Sequence, residues 1–197
     1  MEEIIGHRLT LRQIEPNDIT DKVLAWFDDE ELMKFYTNSR KKITKTDLLN
    51  SIDEGKKAGN LLTFGIFHNA DNCLIGTIKI GPINFYHMTS DLVALIGDRI
   101  YLGKGLAVDA ITLGNQLAFD KLNIRKLYGG MYVSNLPSIK AYTRAGWLIE
   151  GRLKGQFLVE GKNEDRILVA CFNPDFFSTE ELAEIKNNEN RYFPISR

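Results

Sequence analysis

Two glycines with a lysine between them, Gly103-Lys104-Gly105, are the residues of this sequence best suited to binding an anion. A strand-like run ends at Gly97, and apolar residues recur at helical spacing over 105–122, directly after the turn. The first turn of a helix carries unpaired N–H groups, and glycine lets a phosphate approach the main chain. The pattern favours a phosphate-binding turn, although the same G-x-G spacing also occurs in ordinary tight turns.

Two familiar nucleotide-binding patterns do not match this turn. A Walker loop requires G-x-x-x-x-G-K-[ST], and a dinucleotide fingerprint requires a third glycine near Val108 within a parallel β-α-β unit. The sequence contains neither pattern around the turn. An enzyme that binds ATP through the glycine turn stays open as an alternative, which a nucleotide-binding measurement would test.

The composition is that of a folded, nearly neutral protein. The 197 residues include 25 basic and 26 acidic side chains, a formal net charge of -1, so no overall positive field favours nucleic acid or an anionic membrane as a partner. Cys73 and Cys171 form no C-x-x-C pair, which argues against a metal site or a disulfide framework. We expect a cytoplasmic protein, since no signal-like start or long apolar run is present.

The elements around the turn alternate between strand and helix patterns. Strands are predicted at 9–14, 61–67, 73–80, 90–97, 126–133, 147–159 and 165–172. Helices are predicted near 23–27 and 32–36, from a cap at Thr46-Asp47 to a stop at Gly59, and at 105–122, 135–145 and 178–185. This order predicts an α+β fold with a largely antiparallel sheet. We expect one domain over 1–197, with a core at about 9–172 and a tail at 173–197.

Three stretches resemble the motifs of one enzyme family. The residues L-G-K-G-L-A at 102–107 align with the pattern [RQ]-x-x-G-x-[GA], and 135–147 resembles N-x-x-S-x-x-x-Y-x-x-x-G-[FW]. The stretch 150–162 is similar to the long strand and hairpin that follow in that family. By these motifs the chain resembles the GNAT superfamily of N-acetyltransferases, and specifically its RimJ/RimL-like branch, over most of its length.

The resemblance implies a fold and an acyl donor. The fold has about seven mostly antiparallel strands flanked by helices and splayed between strands four and five, here 90–97 and 126–133. The donor is acetyl-CoA, and the residues implied to bind it are Leu95, Ile96, Gly97, Leu102, Gly103, Lys104, Gly105, Leu106, Ala107, Asn135 and Ser138. Leu102 stands where many members carry Arg or Gln, so backbone donors and Lys104 would carry more of the phosphate binding.

The resemblance also implies catalytic roles. Main-chain donors of 95–97 would stabilise the oxyanion, and the Tyr142 hydroxyl would protonate the departing thiolate, although the ring could simply pack. Asp91 and His87 are candidate bases; the alternatives are a solvated acid at a strand end and a surface loop residue. Asn135 could contact the pantetheine arm of CoA, cap a helix, or do both.

The acceptor is implied to be a primary amine of a small molecule. An amino-sugar nucleotide of surface-glycan biosynthesis is slightly preferred, and a protein N-terminus is the alternative. A non-catalytic CoA-binding sensor is the alternative of another class, and the chain is expected to be a monomer or a homodimer. Aromatic side chains could shape the acceptor pocket: Trp26, Phe27, Phe35, Tyr36, Phe85, Tyr86 and His87. For Trp26 and Phe27, a place in the core is the preferred interpretation.

Overall fold

The computed structural model describes residues 3–36 and 43–193, and the elements below belong to that part of the chain. The strands are β1 Ile4–Ile5, β2 Leu9–Gln13, β3 Leu62–His68, β4 Cys73–Ile80, β5 Thr89–Ile96, β6 Lys126–Tyr132, β7 Leu148–Val159 and β8 Lys162–Phe172. The α-helices are α1 Asp21–Asp28, α2 Glu30–Met33, α3 Lys45–Ala58, α4 Leu106–Gln116, α5 Leu136–Arg144 and α6 Thr179–Tyr192. A π-helical turn continues α4 to Lys121.

The strands form one sheet in the order β1-β2-β3-β4-β5-β6-β8-β7. Neighbouring strands are antiparallel except for β5 and β6, which run parallel. The predicted α+β fold with a mostly antiparallel sheet is therefore confirmed. The sheet has eight strands instead of about seven, because the two residues of β1 pair with the edge of β2.

The parallel pair β5 and β6 separates soon after it begins. The two strands pair only through 89–91 and 126–128, whereas β5 continues to Ile96 and β6 to Tyr132. Along this stretch β5 stays paired with β4, and β6 with β8, on their outer sides. The predicted splay is confirmed, and it leaves two strand edges facing a gap.

Apolar side chains pack into two clusters around the sheet. The larger cluster packs α4 and α5 onto the strands, with Ile111 of α4 and Ile139 of α5 almost fully buried. The smaller cluster places Trp26 of α1 and Leu48 of α3 against Phe67 and other sheet residues, with Phe27 partly buried beside it. The expected core position of Trp26 is confirmed, and Phe27 packs against this core.

Gly97, directly after β5, lies against the indole ring of Trp26, and a Cβ at this position would clash with the ring. Gly97→Ala is therefore expected to lower the free energy of unfolding by about 1–3 kcal/mol, since overpacking displaces a core side chain. Urea unfolding would measure this change. In the matched control Gly151→Ala the new Cβ would make only an ordinary contact of 3.5 Å with Leu168. Equal stability of the two variants would contradict the prediction.

Candidate active site

A cavity of about 300 Å³ opens where β5 and β6 separate. Predicted site residues that line it are Asp91, Leu95, Ile96, Leu102, Ala107, Asn135, Ser138 and Tyr142. Phe35, Tyr36 and Tyr132 add aromatic side chains to its wall. The cavity thus extends from the start of the glycine turn to the point where the two strands still pair.

The glycine turn carries a run of main-chain donors. Within the described ranges, the N–H groups of 103–107 donate to no protein acceptor. Gly103 and Gly105 have φ angles of 74° and 75°, which favour glycine, and Gly105 is the N-cap residue of α4. The space that a Cβ of Gly103 would occupy is open. Successive N–H groups at a helix start, with room in front of them, fit a phosphate group.

Tyr101 anchors the entry to this turn, a role that the sequence did not suggest. Its hydroxyl donates a 2.6 Å hydrogen bond to Asp71, in the connection between β3 and β4. The ammonium of Lys104 lies 5.3 Å from the centre of the Tyr101 ring, within the range of a cation–π contact. The turn is therefore tied to the neighbouring strands by a side chain just before it.

Tyr142, on α5, places its hydroxyl on the open edge of β5. The hydroxyl donates to the carbonyl of Leu92 at 2.9 Å and accepts from the N–H of Ala94 at 3.1 Å. It thereby satisfies two main-chain groups that β6 no longer reaches. Burial raises the pKa of Tyr142, so the hydroxyl keeps its proton at neutral pH and can act as an acid.

The main-chain N–H groups of β5 and of Gly97 after it point alternately toward β4 and toward the gap. The N–H of Gly97 donates to Ile75 at 2.9 Å, on the β4 side, whereas the N–H of Ala94 points to Tyr142. Because successive N–H groups of an extended strand point in opposite directions, the N–H of Ile96 faces the gap and that of Leu95 faces β4. Of the three donors implied for the oxyanion, Ile96 has the suitable direction.

Asp91 lies at the closed end of the gap, in the last pair between β5 and β6. Burial raises the pKa of Asp91 to about 6, although the positive charge of Arg166 and a backbone hydrogen bond from Leu92 both lower it. The Nε of Arg166 is itself buried and has no hydrogen-bond partner in the described part of the chain. A carboxylate in such a place can accept a proton near neutral pH.

Comparison with known proteins gives the family. A family model described as "Acetyltransferase (GNAT) domain" matches residues 8–147. The chain belongs to the GNAT acetyltransferase family. Membership confirms the resemblance that the three sequence motifs predicted.

Two curated relatives match through part of their length. The probable N-acetyltransferase YjcK of Bacillus subtilis is 30% identical over 112 residues, which are 57% of this chain and 62% of that protein. The spermidine N(1)-acetyltransferase of Vibrio cholerae is 28% identical over 100 residues, or 51% of this chain and 57% of that protein. The chain thus spans less than two thirds of the length of both.

Two solved structures share the fold over nearly their full length. Spermidine N-acetyltransferase from Vibrio cholerae, in complex with CoA and spermine, superposes with a TM-score of 0.76 at 22% identity and covers 87% of this chain and 99% of its own. A ribosomal-protein-S5-alanine acetyltransferase from Vibrio fischeri gives a TM-score of 0.75 at 20% identity, covering 90% and 100%. At this identity the likeness shows the GNAT fold.

Asn135 caps α5, as the sequence allowed. Its side-chain oxygen accepts from the N–H of Ser138 at 3.3 Å, and both residues line the cavity. The amide nitrogen of the Asn135 side chain makes no hydrogen bond to another described residue. A contact from Asn135 to the pantetheine arm therefore stays a prediction that the cap permits.

The candidate acceptor residues divide into two groups. Phe35 and Tyr36 line the cavity, and the rings of Phe35 and Tyr132 lie 5.5 Å apart. Phe85, Tyr86 and His87 lie in the exposed loop between β4 and β5 and do not contribute to the cavity lining. His87 is thus outside the cavity lining, and its role as a base stays a prediction.

No helix in 3–36 or 43–193 is long and apolar enough to cross a membrane. Within the same ranges, no group of three or more His, Cys, Asp or Glu side chains is arranged to hold a metal ion.

Proposed function

We propose that this protein transfers the acetyl group of acetyl-CoA to a primary amine that enters the cavity beside Asp91. The observation that carries the proposal is the pairing of two groups in one cavity: a partly buried carboxylate with a pKa of about 6 and a protonated, buried tyrosine hydroxyl. An amine acetylation needs a proton acceptor on the amine side and a proton donor on the thiol side. Asp91 and Tyr142 have these properties.

Each residue has one task in the proposed reaction. Acetyl-CoA supplies a thioester whose carbonyl carbon accepts the amine lone pair as the C–N bond forms. Asp91 takes one proton of the bound ammonium, since an amine with a pKa of about 10.4 is only roughly one part in 2,500 neutral at pH 7, and later releases that proton to solvent. The Ile96 N–H donates to the carbonyl oxygen. Tyr142 gives its proton to the sulfur as the C–S bond breaks, and it regains a proton from the nitrogen, which loses its second proton as the amide forms.

We infer that the acceptor is a small alkylamine of the polyamine kind. The cavity that Asp91 lines is also walled by Phe35, Tyr36 and Tyr132, whose rings can contact both the methylene segments and the ammonium groups of a polyamine. The spermidine acetyltransferases among the similar proteins support this class. The ribosomal-protein relative supports a protein N-terminus as the second candidate. Neither name supports an amino-sugar nucleotide, which stays a prediction.

An acceptor panel tests this inference. Spermidine, an alanine N-terminal peptide and a nucleotide-linked amino sugar would be compared by release of the CoA thiol. The expected result is the highest kcat/KM with spermidine. A higher value with the peptide or the amino sugar would assign that acceptor instead. Turnover of no acceptor, with CoA binding intact, would favour the non-catalytic sensor.

CoA binding itself gives a direct prediction. CoA at 100 times its Kd is expected to stabilise the protein by about 2.7 kcal/mol and to raise Tm by about 5–10 °C, because the ligand binds only the folded state. Thermal unfolding with and without CoA measures the shift, with ATP at the same concentration as the control. An unchanged Tm at saturating CoA, or an equal shift with ATP, would contradict the proposed donor.

A further inference from the structure

Arg8 lies across the glycine turn although it is 96 residues away in sequence. Its Nε donates to the Asp109 carboxylate at 2.6 Å, and its Nη1 donates to the Lys104 carbonyl at 2.9 Å. Its Nη2 lies 3.6 Å from the point where a Cβ of Gly105 would be. The guanidinium is therefore fixed at two nitrogens, with the third directed toward the turn.

We propose that Arg8 binds the diphosphate of CoA at this turn, as the cationic side chain that Leu102 does not provide. The inference rests on the proposed function, since it assigns a residue to the donor site. Nη2 donates to no acceptor among the described residues, and the side chain is 40% exposed. An Arg fork with spare N–H donors binds phosphate oxygens well.

The charges around the turn favour such a cation. Asp109 is an acid in the first turn of α4, the turn whose N–H groups would face the phosphates. Its carboxylate opposes an approaching anion, and Arg8 offsets that charge through the 2.6 Å ion pair. Lys104 is the second cation of the turn, and its ammonium lies over the Tyr101 ring.

The arrangement also separates Arg8 from a purely structural ion pair. The ion pair with Asp109 would by itself link the residue before β2 to α4. Arg8 additionally holds the Lys104 carbonyl, which fixes the peptide plane between Lys104 and Gly105 and hence the direction of the Gly105 N–H. Arg8 thus orients one proposed main-chain donor while presenting its own.

The test measures ligand affinity by calorimetry and competition, independently of turnover. Arg8→Gln is expected to weaken CoA binding about 10- to 100-fold, the range for a charge-assisted hydrogen bond to phosphate. The same substitution should weaken the binding of 3′-dephospho-CoA by the same factor, because that ligand keeps the diphosphate. The affinity for pantetheine, which has no diphosphate, should be unchanged. Arg8→Lys keeps the charge without the forked guanidinium, and its affinity for CoA is expected to be about 10-fold lower.

Arg12→Gln is the matched control, since Arg12 also forms an ion pair on β2, with Asp18, and should leave all three affinities unchanged. Unchanged CoA affinity in both Arg8 variants would overturn the proposal. An equal loss for CoA and pantetheine would indicate a general disturbance of the binding site, and a loss confined to CoA would assign Arg8 to the 3′-phosphate; either result overturns the diphosphate contact. Failure of the unmodified protein to bind CoA would refute the proposed function first.

Discussion

Asp91→Asn is expected to lower kcat/KM for the amine by about 100- to 10,000-fold, the usual range for loss of a general base. Asn has nearly the same shape and still accepts hydrogen bonds, but it cannot take a proton from an ammonium group. The partly buried position that raises the Asp91 pKa to about 6 makes this carboxylate a stronger base than an ordinary one. The affinity for CoA should stay within a few-fold, because the glycine turn is unchanged.

The pH dependence follows from the direction of the same shift. Below about pH 6 the Asp91 carboxyl is protonated and cannot act as a base, so kcat/KM should fall on the acid side with a midpoint near pH 6. A profile from pH 5 to 9 would show this limb in the native protein and its loss in Asp91→Asn. Asp53→Asn, which removes an exposed acid of α3, is the control. An acid limb that survives in Asp91→Asn would exclude Asp91 as the base.

Asp91→Asn should raise the stability of the protein at neutral pH, although it lowers the activity. The folded-state pKa of about 6 lies above the ordinary aspartate value of about 3.9, so ionised Asp91 destabilises the fold, fully above pH 6 and not below about pH 4. Asp91→Asn is therefore expected to raise the free energy of unfolding at pH 7.5 by about 1–3 kcal/mol, with the gain vanishing near pH 4. A loss of stability at pH 7.5 would show that Arg166 holds the carboxylate more strongly than burial penalises it.

Local patterns in the sequence were sufficient for the elements that build the donor site. Gly103 and Gly105 before an amphipathic run predicted a turn that opens a helix, and both glycines take the positive φ angles that only glycine adopts readily. Element boundaries were less exact. The third helix is capped by Thr44 through a capping box with Asp47, two residues before the expected cap. The last helix extends to Tyr192 rather than 185, because its polar residues stay helical beyond the apolar pattern.

Contacts between distant segments could not be predicted. Arg8 and Asp109 are 101 residues apart, and Arg8 precedes a strand whose alternation only indicated one buried face. The direction of each β5 donor also depended on strand register, since a shift of one residue exchanges the N–H groups that face β4 and the gap. The sequence therefore implied three oxyanion donors, whereas the hydrogen bond of Gly97 to Ile75 leaves Ile96 as the donor with the right direction.

The residues that line the acceptor wall could not be predicted, because they depend on the lengths of the loops and on the twist of the sheet. Phe35 and Phe85 were equally plausible wall residues by type, but Phe35 lines the cavity while Phe85 is 66% exposed in a loop. An aromatic residue in a loop gives no sequence signal for the side of the sheet on which it lies. The donor of a reaction like this is therefore easier to predict than its acceptor, because diphosphate binding needs a local turn and the acceptor wall needs the tertiary arrangement.

Tyr142→Phe is expected to lower kcat by about 100-fold or more while leaving the Kd of CoA within a few-fold. The hydroxyl is the buried acid of the cavity, and without it the departing thiolate has no proton donor from α5. An interaction made mainly in the transition state affects kcat more than ligand binding. Single-turnover rates and CoA calorimetry would separate the two quantities.

The same hydroxyl also has a structural role, and the experiment has to separate it from catalysis. Tyr142→Phe leaves the Ala94 N–H and the Leu92 carbonyl without their hydrogen bonds, which costs about 1–3 kcal/mol, so Tm should fall as well. Thr143→Val removes the neighbouring hydroxyl of α5, which bonds only within its own helix, and should leave kcat unchanged. If Tyr142→Phe lowers Tm but keeps full kcat, the hydroxyl only completes the edge of β5, and another group protonates the sulfur.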